Sequence, residues 1–310
     1  MTGAVYYDGF LYASSHAFGV IYKVDMIAQS IRPYQFGFGS NDRGYIGITV
    51  DPNGIIWTSR CCTTTSAIGG LSKINLATMT ETFVINATAE NPADWGPPLY
   101  CSGYVYVVEY AWLFRVDVNT NEVTAILLPI PLSISSGIAC DSSTGNVWFT
   151  DRQRGFLYEY SVSSGVVNGV SGFYYPAGVA LHQGVVYIAE NIREGDWSSE
   201  SPAIAAYDTV TRTISRTYVT GCPFSLAVVP TIQGTFLIWS STGDDAARTV
   251  GIGVLNGGFY AINVNRVMFL SSDANASIYF GYAGSAGVGK LSGWKAPPGQ
   301  SLEKLAKRIR

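Results

Sequence analysis

Residues 136–165 read SGIACDSSTGNVWFTDRQRGFLYEYSVSSG, and looser copies of this stretch recur along the chain. The copies stand about 40 to 50 residues apart, which is typical of folds built from repeated structural units. Each copy contains a short apolar strand, a turn with glycine, an aromatic-rich strand, a variable loop and two further strands joined by a polar turn. This order predicts a four-stranded antiparallel meander in every copy.

Seven first strands align on this repeat. They are GAVYYD, GITVDP, PPLYCS, GIACDS, GVALHQ, SLAVVP and RVMFLS, which begin at residues 3, 47, 97, 137, 178, 225 and 266. Second strands such as IIWTSR (55–60) and VWFTD (147–151) are rich in aromatic and β-branched residues, as buried strands are. We therefore predict an all-β fold, a seven-bladed β-propeller of four-stranded antiparallel blades, across residues 1–293.

The composition fits one propeller and argues against several other classes. Hydrophobic residues make up 47% of the 310 residues and 34 residues are glycine, as expected for twisted sheets joined by tight turns. No apolar run reaches the roughly 18 residues of a transmembrane helix, so no transmembrane segment is predicted. The net charge of −3 comes without a basic stripe, so nucleic acid is not an expected partner.

The surface chemistry bears on location. Charged residues make up only 13% of the chain, which is about half the share usual in soluble domains. Such a surface changes little in charge as the pH falls, which favours work outside a cell. The N-terminal MTGAVYYDGF lacks the basic, apolar and cleavage-site regions of a signal peptide. We therefore expect an extracellular or virion-surface protein with no signal peptide in this chain.

Five cysteines leave the redox setting open. Cys101 and Cys140 occupy equivalent first-strand positions in neighbouring copies. We interpret them as small core residues, because buried cysteine behaves as a modest hydrophobe. The spacing alone assigns no disulfide pairing, and the odd count leaves at least one thiol unpaired or bonded to another chain.

The predicted propeller has two unlike faces. Turns that join first to second and third to fourth strands are short, for example DPNG (51–54), and we call their side the hairpin face. The opposite side, which we call the loop face, carries the second-to-third-strand loops and the connections between blades. Several of these are long and charged, for example 190–202. Since function usually resides on loops held by a rigid scaffold, the loop face is the predicted binding face.

Two sets of residues are candidates for binding on the loop face. Charged side chains end four successive second strands and should form an arc around the channel mouth, near two arginines that can pair with them. Aromatic side chains of the same loops can stack on sugar rings. The alternative for both sets is structural, in which the charges hold neighbouring blades and the rings pack in the core. The candidates are Arg60, Glu109, Asp151, Arg152, Arg154 and Glu190 in the charged set, and Trp95, Tyr110, Trp112, Tyr174, Tyr175 and Trp197 in the aromatic set.

The end of the chain departs from the repeat. The seventh copy shows no clear fourth strand after residues 287–294, so an incomplete last blade is predicted, with an edge that a strand of a partner chain can cover. Residues 294–310 form a basic C-terminal tail with the pattern of a short amphipathic helix. The alternative is that this tail packs on its own propeller. Its predicted assembly residues are Lys304, Lys307, Arg308 and Arg310.

The repeat GIACDSSTGNVWFTD followed by GFLYEYSV resembles those of virginiamycin B lyase and of NHL-type propellers. The resemblance covers about residues 3–293 and implies the fold rather than an activity. It associates lyase catalysis with a His and Glu constellation and magnesium in late blades. This chain has only His16 and His182, and neither is in a late blade, so lyase activity is not expected. Gluconolactonase-like propellers are similar too, and they imply a divalent cation near the channel, for which Glu109, Asp151, Glu190 and Asn191 are available.

We expect a non-catalytic binding or structural propeller of an extracellular or virion assembly. It would recognise a receptor or glycan through its loop face and attach to protein partners through its tail. No catalytic residue, metal site or cofactor is predicted, because the common catalytic motifs are missing from the sequence. The alternative is a virginiamycin B lyase-like or gluconolactonase-like enzyme with a divalent cation near the central channel.

Overall fold

The structure is a computed structural model, and beyond residue 240 only its backbone is described. It describes residues 3–15, 19–25, 28, 30–36, 44–60, 69–86, 95–132, 135–191, 202–219, 222–231, 234–241, 250–254, 259–262, 267–272, 278–282 and 288–291. Most of the long predicted loops, including the one with Trp197, lie outside these residues.

Seven antiparallel sheets follow one another along the chain, six of four strands and one of three in the described residues. Strands adjacent in sequence are hydrogen-bonded neighbours in each sheet, as the meander predicted. The first four sheets consist of β1 (Gly3–Tyr7), β2 (Phe10–Ser15), β3 (Val20–Asp25), β4 (Ser30–Gln35); β5 (Tyr45–Val50), β6 (Ile56–Arg60), β7 (Gly70–Asn75), β8 (Thr80–Asn86); β9 (Leu99–Cys101), β10 (Tyr104–Glu109), β11 (Trp112–Asp117), β12 (Val123–Leu127); and β13 (Ser135–Cys140), β14 (Val147–Asp151), β15 (Phe156–Ser161), β16 (Val166–Ser171). The last three consist of β17 (Pro176–His182), β18 (Val185–Glu190), β19 (Ala203–Asp208), β20 (Ile214–Tyr218); β21 (Pro223–Thr231), β22 (Gly234–Ser241), β23 (Val250–Val254), β24 (Phe259–Ile262); and β25 (Val267–Ser272), β26 (Ile278–Tyr282), β27 (Val288–Leu291).

The first strands of the seven sheets form a closed ring. Each contacts the first strand of the next sheet, and β25 contacts β1. The sheets are therefore the blades of a β-propeller, and the predicted fold class is confirmed.

Glycines let neighbouring first strands approach closely. A Cβ atom on Gly137 would overlap the backbone of Ala177 and Gly178. One on Gly178 would in turn overlap the backbone of Phe224 and Ser225. Only a residue without a side chain fits such an approach, so the glycine that opens these repeats is required by the ring itself.

The core lies in layers between blades, and in four described layers one equivalent pair of positions shares a cluster, which we call the interface pair. Its first member is an aromatic residue three positions before the end of a second strand. Its second member lies in the third strand of the following blade. In two successive layers both members are aromatic, with ring centroids 6.2 Å apart for Tyr106 and Tyr160 and 6.0 Å apart for Trp148 and Tyr207. Such pairs add stability beyond the area that they bury.

Cys101 and Cys140 are bonded to each other. They end β9 and β13, their Cα atoms are 6.0 Å apart, and the disulfide joins the third blade to the fourth. Our interpretation of the two residues as separate core thiols is therefore wrong. Equivalent positions of neighbouring copies are 39 residues apart in sequence, but they are adjacent around the ring.

The seventh sheet has three strands in the described part of the chain, which ends at Leu291. A fourth strand would follow that residue, so the incomplete last blade stays a prediction. Residues 292–310, including the tail with Lys304, Lys307, Arg308 and Arg310, lie outside that part, so the tail helix stays a prediction. Within the described residues, no helix has the length and hydropathy to cross a membrane.

Candidate functional site

The four charged residues that end second strands are buried. Arg60, Glu109, Asp151 and Glu190 are 3%, 2%, 0% and 1% exposed, and they are the last residues of β6, β10, β14 and β18. They form a layer beneath the loop face rather than an open arc. Arg60, Asp151 and Glu190 make structural contacts, described below, and that the four residues bind a ligand stays a prediction.

Arg60 belongs to a cluster with one member on each strand of the second blade. Its Nη2 donates to Glu81 Oε2 at 2.7 Å and to the Tyr45 hydroxyl at 2.9 Å. The Ser72 hydroxyl donates to Glu81 Oε1 at 2.7 Å. Burial, and then the nearby Glu81 charge, raise the pKa of Tyr45, so its phenol stays protonated. The cluster ties β5, β6, β7 and β8 together.

Glu190 holds the connection between the fourth and fifth blades. Arg216 Nε and Nη2 donate to its two carboxylate oxygens at 2.7 and 3.0 Å, a bidentate pair. The Tyr174 backbone N–H donates to Glu190 Oε1 at 3.0 Å, and the Arg216 guanidinium lies 4.8 Å from the centre of the Tyr174 ring. The hydrogen bond to Glu190 raises the pKa of Arg216. The carboxylate therefore fixes both the connection and the ring that it carries.

Asp151 organises the loop that follows it. Arg154 donates to this carboxylate through its backbone N–H at 3.3 Å and its Nη1 at 3.4 Å. The Arg154 side chain is otherwise exposed. Arg152 is half-buried, with its guanidinium 5.8 Å from the Phe224 ring centre. Arg154 is thus a cation on the loop face that its partner orients.

Sequence reasoning missed Glu81 and Arg216, the outer-strand partners of two of these buried charges. Both pairs cross a third strand whose side chains are small. On β19 these are Ala203, in register with Glu190, and Ala205, in register with Arg216. On β7 Ser72 takes part in the cluster itself. Small third-strand residues beside a charged second-strand end are the signal that predicts such a pair.

Two tyrosine rings reach the solvent on the loop face. Tyr110 is 52% exposed and Tyr174 is 48% exposed. Tyr110 stands in the two-residue turn between β10 and β11 with φ of 40°, a left-handed conformation that is strained for a bulky residue. The Leu132 N–H donates to the Tyr110 carbonyl at 2.7 Å and holds the turn. The fold therefore keeps this ring exposed at a cost in backbone energy.

The other aromatic candidates are less accessible. Trp95 is buried and stacks on Phe114 with 5.6 Å between ring centroids, as the structural alternative expected. Trp112 and Tyr175 are half-buried. Trp197 lies outside the described residues. Of the predicted aromatic set, Tyr110 and Tyr174 are the rings that the described structure exposes.

The carboxylates that the gluconolactonase resemblance assigns to a cation lie in three different blades. Glu109, Asp151 and Glu190 belong to the third, fourth and fifth blades. Within the part of the chain that the structure describes, no group of three or more His, Cys, Asp or Glu side chains is placed to hold a metal ion.

Comparisons with known proteins define the fold and leave the activity open. No protein-family model matches the chain, and no curated protein matches its sequence. Among solved structures, virginiamycin B lyase from Staphylococcus aureus is similar, with a TM-score of 0.71 and 14% identity over 91% of each chain. The WD40 β-propeller domain of Doa1 has a TM-score of 0.67 and 13% identity over 95% of this chain and 93% of that one.

A chain of the mitotic checkpoint complex has a TM-score of 0.71 and 9% identity over 91% of this chain and 86% of that one. At such identities the likeness shows the β-propeller fold alone. The same fold thus occurs in a lyase and in a component of a protein complex.

Proposed function

We propose that this chain is a non-catalytic binding propeller of an extracellular or virion assembly, and that its loop face recognises a glycan. The observation that carries the proposal is the layering of that face. The charged strand ends lie beneath it, whereas Tyr110 and Tyr174 present their rings to the solvent. Exposed rings of this kind suit a ligand with flat apolar faces, as sugars have.

Tyr174 is preorganised for stacking. Arg216 lies over the ring, and Glu190 fixes both the guanidinium and the backbone of Tyr174. A ring held in this way loses little conformational entropy when a sugar stacks on it. Its hydroxyl can also exchange hydrogen bonds with sugar hydroxyls. Strain at Tyr110 supports the same use, since strained backbone clusters at functional sites.

Two observations support the setting of the proposal. The Cys101–Cys140 disulfide is of a kind that persists in oxidising environments. The charged share of 13% suits a protein exposed to a medium of varying pH. Attachment to protein partners through residues 294–310 rests on the basic amphipathic pattern of that tail.

A glycan array tests the proposal with three variants. Tyr174→Ala and Tyr110→Ala should each weaken glycan binding roughly tenfold, as expected for loss of about 1.5 kcal/mol of stacking. Val210→Ala is the control, because this side chain is 86% exposed in the turn between β19 and β20 on the hairpin face. Equal melting temperatures would show that the fold is intact. Failure to bind any glycan, or binding that both tyrosine variants retain, would contradict the proposal.

A further inference from the structure

A cleft opens on the hairpin face between the second and third blades. Its volume is about 220 Å³. The second blade supplies most of its lining in two rows of side chains. Trp57, Lys73 and Thr82 are in register across β6, β7 and β8, and Asn75 and Thr80 are in register one row further along.

The interface beside the cleft has a small member in its interface pair. In the next two interfaces the third strand supplies Tyr160 and Tyr207, which pack on the aromatic residue of the preceding blade. Here the equivalent position is Val116, which shares a core cluster with Trp57. Valine does not extend over the indole as the tyrosines extend over their partners. Val116 itself is buried, and Val118, two residues further along the chain, lines the cleft.

The cation in the cleft lacks the partner that its equivalents have. In the first blade the Lys23 ammonium lies 3.6 Å from the Phe10 ring centre. In the third blade the Arg115 guanidinium lies 4.8 Å from the Tyr104 ring centre. Each of these cations is therefore held by an aromatic residue at the start of its own second strand. In the second blade, which carries Lys73, the equivalent position at the start of the second strand holds an aliphatic residue.

That aliphatic residue is Ile55, so Lys73 turns to the neighbouring blade instead. Its Nζ donates to Asn121 Oδ1 at 2.8 Å. Among the described residues no carboxylate forms a salt bridge with Lys73. An ammonium group has three donors, so two remain for a ligand.

Two other polar groups of the cleft have acceptor oxygens that are already occupied. The buried Asp51 carboxylate accepts hydrogen bonds from the Trp57 indole N–H at 2.9 Å and from two backbone N–H groups, which occupies it. Asn75 Oδ1 accepts from the backbone N–H groups of Ala77 and Thr78, which leaves the amide nitrogen of Asn75 to donate. A ligand that fits this set carries acceptors and a negative charge.

We propose that the cleft is a binding site for a small carboxylate, anchored by Lys73. Its volume of about 220 Å³ is below the range of about 300–1,000 Å³ found for sites of drug-sized ligands, so the ligand is of the size of one sugar acid or one organic acid. Val118 and Ile55 supply apolar walls for its carbon skeleton. The site lies on the opposite face from the proposed glycan surface and does not depend on it.

Ligand-observed NMR titrations with glucuronate, acetate and glucose test this site. Wild-type protein should bind glucuronate, and Lys73→Met should weaken that binding at least about tenfold, since a charge-assisted hydrogen bond is lost. Lys23→Met is the matched control, because this lysine lies on Phe10 in the first blade, and it should bind as wild type does. Val118→Phe, at a residue that lines the cleft, should narrow the cleft and weaken binding.

Comparing the three ligands shows which class of carboxylate the cleft binds. Glucuronate binding more tightly than acetate identifies a sugar acid as the ligand class, and equal binding identifies a simple organic acid; both agree with the proposal. Three results would overturn it: glucose binding as tightly as glucuronate, binding of neither acid at about 10 mM, or an unchanged affinity in Lys73→Met.

Discussion

Replacing Cys101 or Cys140 by alanine, or both together, should destabilise the propeller by nearly the same amount in all three variants. The disulfide closes a loop with a sequence separation of 39 residues, for which the chain-entropy relation gives about 4 kcal/mol at 25 °C. A chain of 310 residues has an unfolding entropy of roughly 0.65 kcal/mol per kelvin near its midpoint. The melting temperature should therefore fall by about 6 °C.

Thermal unfolding followed by circular dichroism under non-reducing conditions measures this shift. If the two cysteines form one disulfide, the double variant should be no less stable than either single variant, because each substitution breaks the same bond. If they are instead two independent core thiols, the losses of stability in the two single variants should add in the double variant. Additive losses, or shifts within about 1 °C of wild type, would refute the reasoning. Peptide mapping after alkylation without reductant checks the bond directly.

Three further predictions concern stability. Arg216→Met should cost about 3 kcal/mol in urea unfolding, because it leaves the buried Glu190 carboxylate without this partner, and adding Glu190→Gln should recover part of the loss. Gly137→Ala should cost about 1–3 kcal/mol, since the new methyl group meets the Ala177 backbone. Burial raises the pKa of Tyr106 to about 12 from 10.0. The protonated phenol therefore contributes its full stability below pH 10.0 and loses it as the pH rises towards 12. Urea unfolding midpoints should fall between these pH values.

The fold could be predicted because its signals are local. VWFTD at 147–151 is β14 as the structure has it, since strand alternation and turn glycines act within a few residues. The Cys101–Cys140 bond could not be predicted in this way. It joins equivalent positions of neighbouring copies, which also suit two separate core residues, and only the 6.0 Å between the Cα atoms in the folded ring distinguishes the two.

The site was less predictable because burial of a charge depends on other strands. The four charged strand ends were expected around an open channel mouth, but whether Glu190 is exposed is decided by Arg216 and by the small residues on β19 between them. Tyr110 and Tyr174 were among the predicted aromatic candidates. The packing of Trp95 against Phe114 and the geometry of the turn at Tyr110 decide which rings of that set are exposed. Neither can be predicted from one segment of sequence.

The cleft on the hairpin face illustrates how a repeat fold generates sites. Neighbouring blades pack through equivalent positions on similar backbones. When one copy has a smaller side chain, the backbone does not shift to fill the difference. At position 55, isoleucine stands where two other blades have an aromatic residue, so Lys73 lines the cleft without a ring of its own blade to hold it. Because Tyr174 and Lys73 lie on opposite faces and share no contacts, variants of the two residues should act on different ligands without affecting each other.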